Sequence, residues 1–514
     1  MLRLHEDLVR LHAYPPDPDT LRQVRAALER FARRRDLARY RDSLDNSGIA
    51  GTAIRYPFYW PTAHWLVRRW PDRITIDWDR FPNAERLVDY LYLVLPFTES
   101  VALDDLVMEP ADWLEALAGP GETDAAFLVR RFAAVPVMDP WRERVYEDLA
   151  VPLVVAPGPD TPSRTTTRFP VGRVHYQAGP LARTRPDLGK EIVRAPRSHV
   201  PVRGARAQLL IDMAREAMVT RSRDLDVFVN ADPADVSLVD DGDGLTFACM
   251  GQRLERRQVL ETVYGFLILK NGVPLGYVLN TTLFHTSEVA LNIFDTFRGG
   301  ETAHIYGRVL ATLRYLFHSD VIVVPPYQLG HDNEEGLESG AWWFYYKLGF
   351  RPVDPGVRRL VRRELRIMRR RPRHRTSVAV LNELSAENMY WYLGPERSDV
   401  FGRVVLGRVG LAVSDYLAER FGAERERGLQ VCAAEAARLL HVKSRRGWGR
   451  GERLAWGRWA PLVLCLPGVR RWPTGDRRAL VAVIRAKGGK RELEYTRLFD
   501  GHARLRAAIV ELQR

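Results

Sequence analysis

Apolar positions along this chain change their period from region to region. Between residues 19 and 44, Leu21, Val24, Leu28 and Phe31 recur at spacings of three and four, which predicts an amphipathic helix through DTLRQVRAALERFARRRDLARYRDSL. The aromatic stretch YPFYWPTAHWLVRRWP, residues 56–71, is broken by prolines and reads as a packed loop. Residues 156–206 are rich in Pro, Gly, Thr and Arg and suit a boundary or long connection. ARAQLLIDMAREAMVTR then returns to a helical period, and residues 225–251 read as short strands split by Asp-Gly turns. YGFLILK, NGVPLGYVLNTTLF and EVALNIFDTF predict three successive strands, the first two joined at Asn271-Gly272, a hairpin signal. ETAHIYGRVLATLRYLF carries a helical stripe of Tyr306, Val309, Leu310, Leu313 and Phe317, and VIVV is a short buried strand. Beyond it come the turn-rich HDNEEG, an aromatic helix in AWWFYYKLGF, and a mainly helical C-terminal stretch.

At 514 residues the chain exceeds one core. We divide it into 1–195, a mixed α/β region; 196–375, a domain with a central sheet; and 376–514, mainly helical. No apolar run approaches the ~18–20 residues that span a bilayer, and the N-terminus lacks the apolar stretch of a secretory signal. The three cysteines, Cys249, Cys432 and Cys465, are far apart and odd in number. That argues against a disulfide framework or a zinc site, leaves no metal ligands to name, and points to a reducing cytoplasm.

The order hairpin, long strand, glycine turn, helix, short strand, helix ending in Leu-Gly-Phe resembles the GNAT family of acyl-CoA-dependent N-acyltransferases. Three stretches carry the resemblance: NGVPLGYV with Gly276, LNIFDTFRGGETAHIYGRVL, and AWWFYYKLGF with Ala341, Tyr345, Lys347, Gly349 and Phe350 in register. They cover roughly residues 206–355. The resemblance implies an α/β (α+β) fold, with a central GNAT-like mixed sheet flanked by helices, and acetyl-CoA or another acyl-CoA as co-substrate. It places Leu291 and Ile293 on the coenzyme-facing strand, and Arg298, Gly299, Gly300, Thr302 and Ala303 around the pyrophosphate. Helix N-termini do suit such an anion, through unpaired N–H groups and the positive end of the dipole. Two positions depart from the family pattern: Glu338 stands where the family has an asparagine before Ala341, and Glu301 stands where a glycine is usual. Its carboxylate would repel a pyrophosphate unless it turns away, toward Arg298 or Arg308.

The resemblance assigns Tyr345 as the acid that protonates the departing thiolate, with Tyr346 its neighbouring competitor. Glu288, with His285 beside it, is the candidate base for the attacking amine; Asp332, Glu334 and Glu335 form a second acidic cluster. Trp342, Trp343 and Phe344 read as packing. The acceptor is a small-molecule or peptide amine that the sequence does not identify.

The formal net charge of +13 comes almost entirely from arginine. GVRRLVRRELRIMRRRPRHR, residues 356–375, carries an apolar stripe of Val357, Leu360, Val361, Leu365 and Met368, leaving its arginines on the other faces. These form either a solvated surface or a phosphate track. SRRGWGRGERLAWGRW interleaves Trp and Arg as single-strand binders do. Three functions follow: an acyl-CoA-dependent N-acyltransferase, an aminoacyl-tRNA-dependent acyl or peptidyl transferase contacting RNA or tRNA through these segments, or a non-catalytic binding protein.

Overall fold

The structure is a computed structural model that describes residues 1–514. Its backbone divides into two compact units: residues 1–179, 208–230 and 269–274 form the first, and 180–207, 231–268 and 275–514 the second. The segment around the expected boundary at 195 thus belongs to the second unit. That unit also holds both the large sheet and the C-terminal helices.

In the first unit, short strands β1 (Ile54–Tyr56), β2 (Ile74–Ile76) and β3 (Leu153–Val155) make an antiparallel sheet in the order β1-β3-β2. Helices around it bury Phe58, Trp60, Leu66, Leu128, Phe132 and Tyr146. Two expectations fail here. The helix expected over 19–44 stops at Glu29 and gives way to 3₁₀ turns, because the run Arg33–Asp36 supplies no apolar stripe to bury. The stretch expected as a loop contains the helix Trp60–Arg69. Pro61 lies in its first turn, where a proline loses no helical hydrogen bond. Asp224 fixes that start, accepting from the Tyr59 N–H at 2.7 Å and the Thr62 hydroxyl at 2.7 Å.

The large sheet has nine strands: β4 (Ser198–Val202), β5 (Ala231–Gly242), β6 (Leu245–Gln252), β7 (Thr262–Lys270), β8 (Val273–Leu283), β9 (Thr286–Ile293), β10 (Val321–Val324), β11 (Arg351–Pro352) and β12 (Met389–Tyr392). Their order is β11-β12-β10-β9-β8-β7-β6-β5-β4. The pairs β4–β5, β5–β6, β8–β9, β10–β12 and β11–β12 are antiparallel, and β9–β10 is parallel. Mixed α/β architecture with a large sheet flanked by helices is therefore the fold class.

Two-residue turns with both residues left-handed join β5 to β6 at Asp243-Gly244, β7 to β8 at Asn271-Gly272, and β8 to β9 at Phe284-His285. At Gly272 the reason is visible: a Cβ there would lie 2.1 Å from the Phe169 carbonyl oxygen, inside van der Waals contact.

The helices Leu406–Phe421, Arg425–Leu439, Arg450–Cys465, Thr474–Lys487, Glu492–Asp500 and Ala503–Leu512 close around Trp456, Trp459, Leu480, Tyr495 and Phe499. This corrects the reading of SRRGWGRGERLAWGRW. Trp448, Trp456 and Trp459 are all core residues, so their indole faces are not free to stack on bases. The three cysteines are unpaired thiols, and no helix is long and apolar enough to cross a membrane.

Candidate functional site

The parallel pairing of β9 with β10 covers only Thr286, Ser287 and Glu288, opposite Val321, Ile322 and Val323. Beyond Glu288, β9 runs on to Ile293 while β10 ends at Val324 and turns into Pro325. One edge of β9 therefore loses its strand partner, and the sheet opens from Glu288 onward. Two side chains satisfy carbonyls on that edge. Gln328 Nε2 donates to Leu291 O at 2.8 Å, and Arg298 Nε donates to Ile293 O at 3.0 Å.

Strand alternation puts Glu288, Ala290 and Asn292 on one face of β9, facing Thr281, Leu279 and Tyr277 across the β8 register. Glu288, Ala290, Asn292, Thr281 and Leu279 are half-buried, whereas the intervening Val289, Leu291 and Val278 are buried. The Glu288 carboxyl is pushed above the usual range by burial and, secondarily, by the nearby Glu261. Glu261 is raised mainly by burial. Asn292 Oδ1 is a buried acceptor without a donor, a state that carries a desolvation cost unless something donates to it.

Tyr345 lies on the short helix Ala341–Lys347 and is 2% exposed. Its ring meets Tyr306 edge-on at 5.4 Å and Phe350 at 5.7 Å. Its hydroxyl accepts from Gln328 Nε2 at 3.0 Å, and burial pushes its pKa above the ordinary value, so the phenol keeps its proton. Gln328 thus ties Tyr345 to the open edge at Leu291. Glu288 lies three residues earlier on β9, about 10 Å away along the strand. Tyr345 is linked through Gln328 to β9 at Leu291, Glu288 stands where the β10 pairing ends, and the two candidates share no hydrogen bond.

Of the other aromatics on this helix, Trp342 is buried and donates to Leu384 O at 2.9 Å, and Trp343 donates to Thr376 Oγ1 at 3.0 Å. Tyr346 stacks on Trp342 and sits 4.1 Å beneath the Arg351 guanidinium. His285 is in the β8–β9 turn, its N–H donating to Asp500 Oδ2 at 3.1 Å, away from the opening. Asp332 is exposed in a turn and Glu334 is exposed at the start of the short helix Glu334–Ser339, which precedes the aromatic helix.

Residues 298–303 span a loop and the first turn of the helix Thr302–Phe317, with Glu301 as its N-cap residue. Gly299 has φ 75°, which glycine adopts without strain, and open space where a Cβ would sit. Gly300 is close to Leu181, and Thr302 and Ala303 are half-buried. Arg298 is engaged by Asp295 at 2.8 Å and by Glu335. Glu301 is 9% exposed and accepts from the Ala182 N–H at 3.2 Å. It turns to neither Arg298 nor Arg308, the latter being buried between Asp241 and Glu191. With Asp295 and Glu335 both on Arg298, the charge of that guanidinium is already offset where a coenzyme pyrophosphate would dock, although the glycines and the helix start supply a backbone cradle.

Gln328, Glu261, Asn292 and Ala182 escaped the reading of the sequence as site residues. Only Asn292 left a signal, through its alternation with Glu288. No group of three or more His, Cys, Asp or Glu side chains is placed to hold a metal ion. Comparison with known protein families, with characterised proteins and with solved structures returns no match for this chain.

Proposed function

We propose that the chain is an N-acyltransferase that joins an acyl group to an amine at the opening between β9 and β10. The observation that carries the reading is the end of parallel pairing at Glu288, which bares the β9 edge beside Tyr345. The amine nitrogen attacks the acyl carbon, the N–C bond forms, and the bond from that carbon to the donor's leaving atom breaks. Glu288, with its raised pKa, takes the amine proton directly or through water. Asn292 Oδ1 offers the same amine an unfilled acceptor. Tyr345 enters the reaction protonated and gives that proton to the leaving group. N–H groups on the bared edge of β9 polarise the acyl carbonyl.

An acyl-CoA is the donor class that the sequence resemblance implies. The acids Asp295, Glu301 and Glu335 oppose docking its pyrophosphate at 298–303, so no step is routed through that loop. They favour a second reading, in which the acyl group arrives as an ester on tRNA. Calorimetric titration with acetyl-CoA and longer acyl-CoAs, alongside turnover assays with aminoacyl-tRNA and mixed amines, separates the two. Saturable acyl-CoA binding with product supports the thioester donor, and product from aminoacyl-tRNA alone supports the ester. Product from neither leaves a binding protein and removes the proposal.

A further inference from the structure

The helix Pro355–Arg370 holds seven arginines, at 358, 359, 362, 363, 366, 369 and 370, all exposed. At about 100° per residue they fall within one arc of about 140°. The opposite side buries Val357, Val361 and Glu364, with Leu360, Leu365, Ile367 and Met368 half-buried beside them. Three more exposed arginines, Arg371, Arg373 and Arg375, continue the chain. Residues 355–375 contain a single acid, Glu364, which is buried and bound to His374 Nε2 at 2.9 Å.

Arginines at spacings of three and four repel one another along a helix, and this chain offsets little of that. Arg363 lies 3.8 Å from the buried Glu364. Arg358 donates to Pro352 O, and Arg366 to Arg362 O. No carboxylate of another element forms an ion pair with any of the seven. A surface so charged is complementary to a dense polyanion.

We infer that this arginine face is a docking site for nucleic acid, held through its phosphates. Two features favour that partner over an anionic membrane. The apolar side of the helix is committed to the protein's own packing, so no wedge remains to enter a bilayer. Every cation of the helix is arginine, whose planar fork binds phosphate oxygens in pairs. The span also matches: Arg358 to Arg370 covers about 18 Å, and that length of duplex axis carries about ten phosphates. The inference stands apart from the proposed transfer reaction and needs no activity.

The test measures binding of the full chain to a fluorescent RNA hairpin, a DNA duplex of equal length, and phosphatidylglycerol vesicles across a salt series. The proposal expects affinity for RNA or DNA that falls steeply with salt. Replacing Arg362, Arg366 and Arg370 by Gln should weaken it at least tenfold and flatten the slope of log K against log salt by about 3. The control replaces Arg33, Arg35 and Arg39, which are exposed in the first unit, with the same loss of net charge. Equal weakening in both triple variants would reduce the effect to overall charge and overturn the proposal. Binding to vesicles alone would overturn it as well. Thermal melting of both variants checks the fold, and neutralising an exposed like-charged arc is expected to leave it intact.

Discussion

Gln328 and Tyr345 share a 3.0 Å hydrogen bond in which the amide nitrogen donates and the phenol oxygen accepts. The second proton of that nitrogen serves Leu291 O at 2.8 Å, so both donors of the amide are used. The direction matters for chemistry: Tyr345 keeps its own proton for a third partner. Tyr345→Phe keeps the ring contacts with Tyr306 and Phe350 and removes only the oxygen. Turnover should drop ~10²–10⁴-fold if the proton is used in transfer, with a stability loss of about 1 kcal/mol. Tyr346→Phe is the matched control, because its half-exposed ring faces Trp342 and Arg351 rather than Gln328. Retained turnover in Tyr345→Phe would reduce the tyrosine to packing.

Glu288 gives the transfer reading a pH signature. Burial and Glu261 raise its pKa from the ordinary 4.5, in that order of importance. A base must be ionised to act, so kcat/KM should climb with pH through a midpoint above 4.5 and level off beyond it. Glu261→Gln removes the smaller cause, so the midpoint should move down while the plateau rate stays. Glu288→Gln should abolish the dependence and most of the rate. A profile identical in all three proteins would rule Glu288 out as the base.

The three hairpin turns show how much of the fold the sequence discloses. Asp243-Gly244 and Asn271-Gly272 announce themselves, because both residue pairs accept left-handed backbone at low cost. Phe284-His285 has the same geometry and no such signal. Its supports are distant in sequence: Phe284 stacks on Phe499 at 5.4 Å, Arg397 Nη2 donates to Phe284 O at 2.6 Å, and Asp500 accepts from the His285 N–H. The candidate site divides in the same way. Strand alternation marks the face of Glu288 and Asn292, but Gln328 reaches Leu291 only because β10 ends early. The Trp-Arg stretch misleads for the opposite reason, since local composition does not say that Trp456 and Trp459 are enclosed by helices arriving up to fifty residues later in the chain.

Asp500 makes that turn testable. Burial raises its carboxyl to about 7, against the opposing hydrogen bond from His285. Asp500→Ala leaves a strained turn without its main-chain acceptor, and should cost about 1–3 kcal/mol. Hydrogen exchange should then quicken at Phe284 and His285 before it does in the centre of β8. Unchanged exchange at these two amides would mean the turn is held without Asp500.

Two buried histidines set an acid limit on the first unit. Burial, then Arg164, lowers His5 to about 3, and burial, then Arg168, lowers His12 to about 4. Both sit on the helix Leu2–Ala13, and His5 Nε2 lies 2.9 Å from Thr165 Oγ1. Below the ordinary value of 6.5 the unfolded chain takes up these protons while the folded chain refuses them. Their contribution is therefore present above pH 6.5 and is lost as pH falls toward 3–4. Protease nicking near residue 14 should increase between pH 6.5 and 4.5, and His5→Gln should weaken that dependence. Equal nicking across this range in the unmodified chain would contradict the sign.

The loop at Glu301 offers the sharpest test of the donor. Glu301→Gln keeps an oxygen for the Ala182 N–H and removes the charge at the helix start, so packing is spared while the electrostatics change. If the acid is what opposes a pyrophosphate, the variant should bind coenzyme A several-fold more tightly than the unmodified chain. Glu335→Gln should add to the effect by freeing Arg298 from one of its two carboxylates. Arg298→Ala in that background should take back about 1–3 kcal/mol, the scale of a charge-assisted hydrogen bond. Should neither Gln variant bind the coenzyme any better, repulsion at this loop is not the obstacle, and a donor carried on RNA loses the observation that favours it.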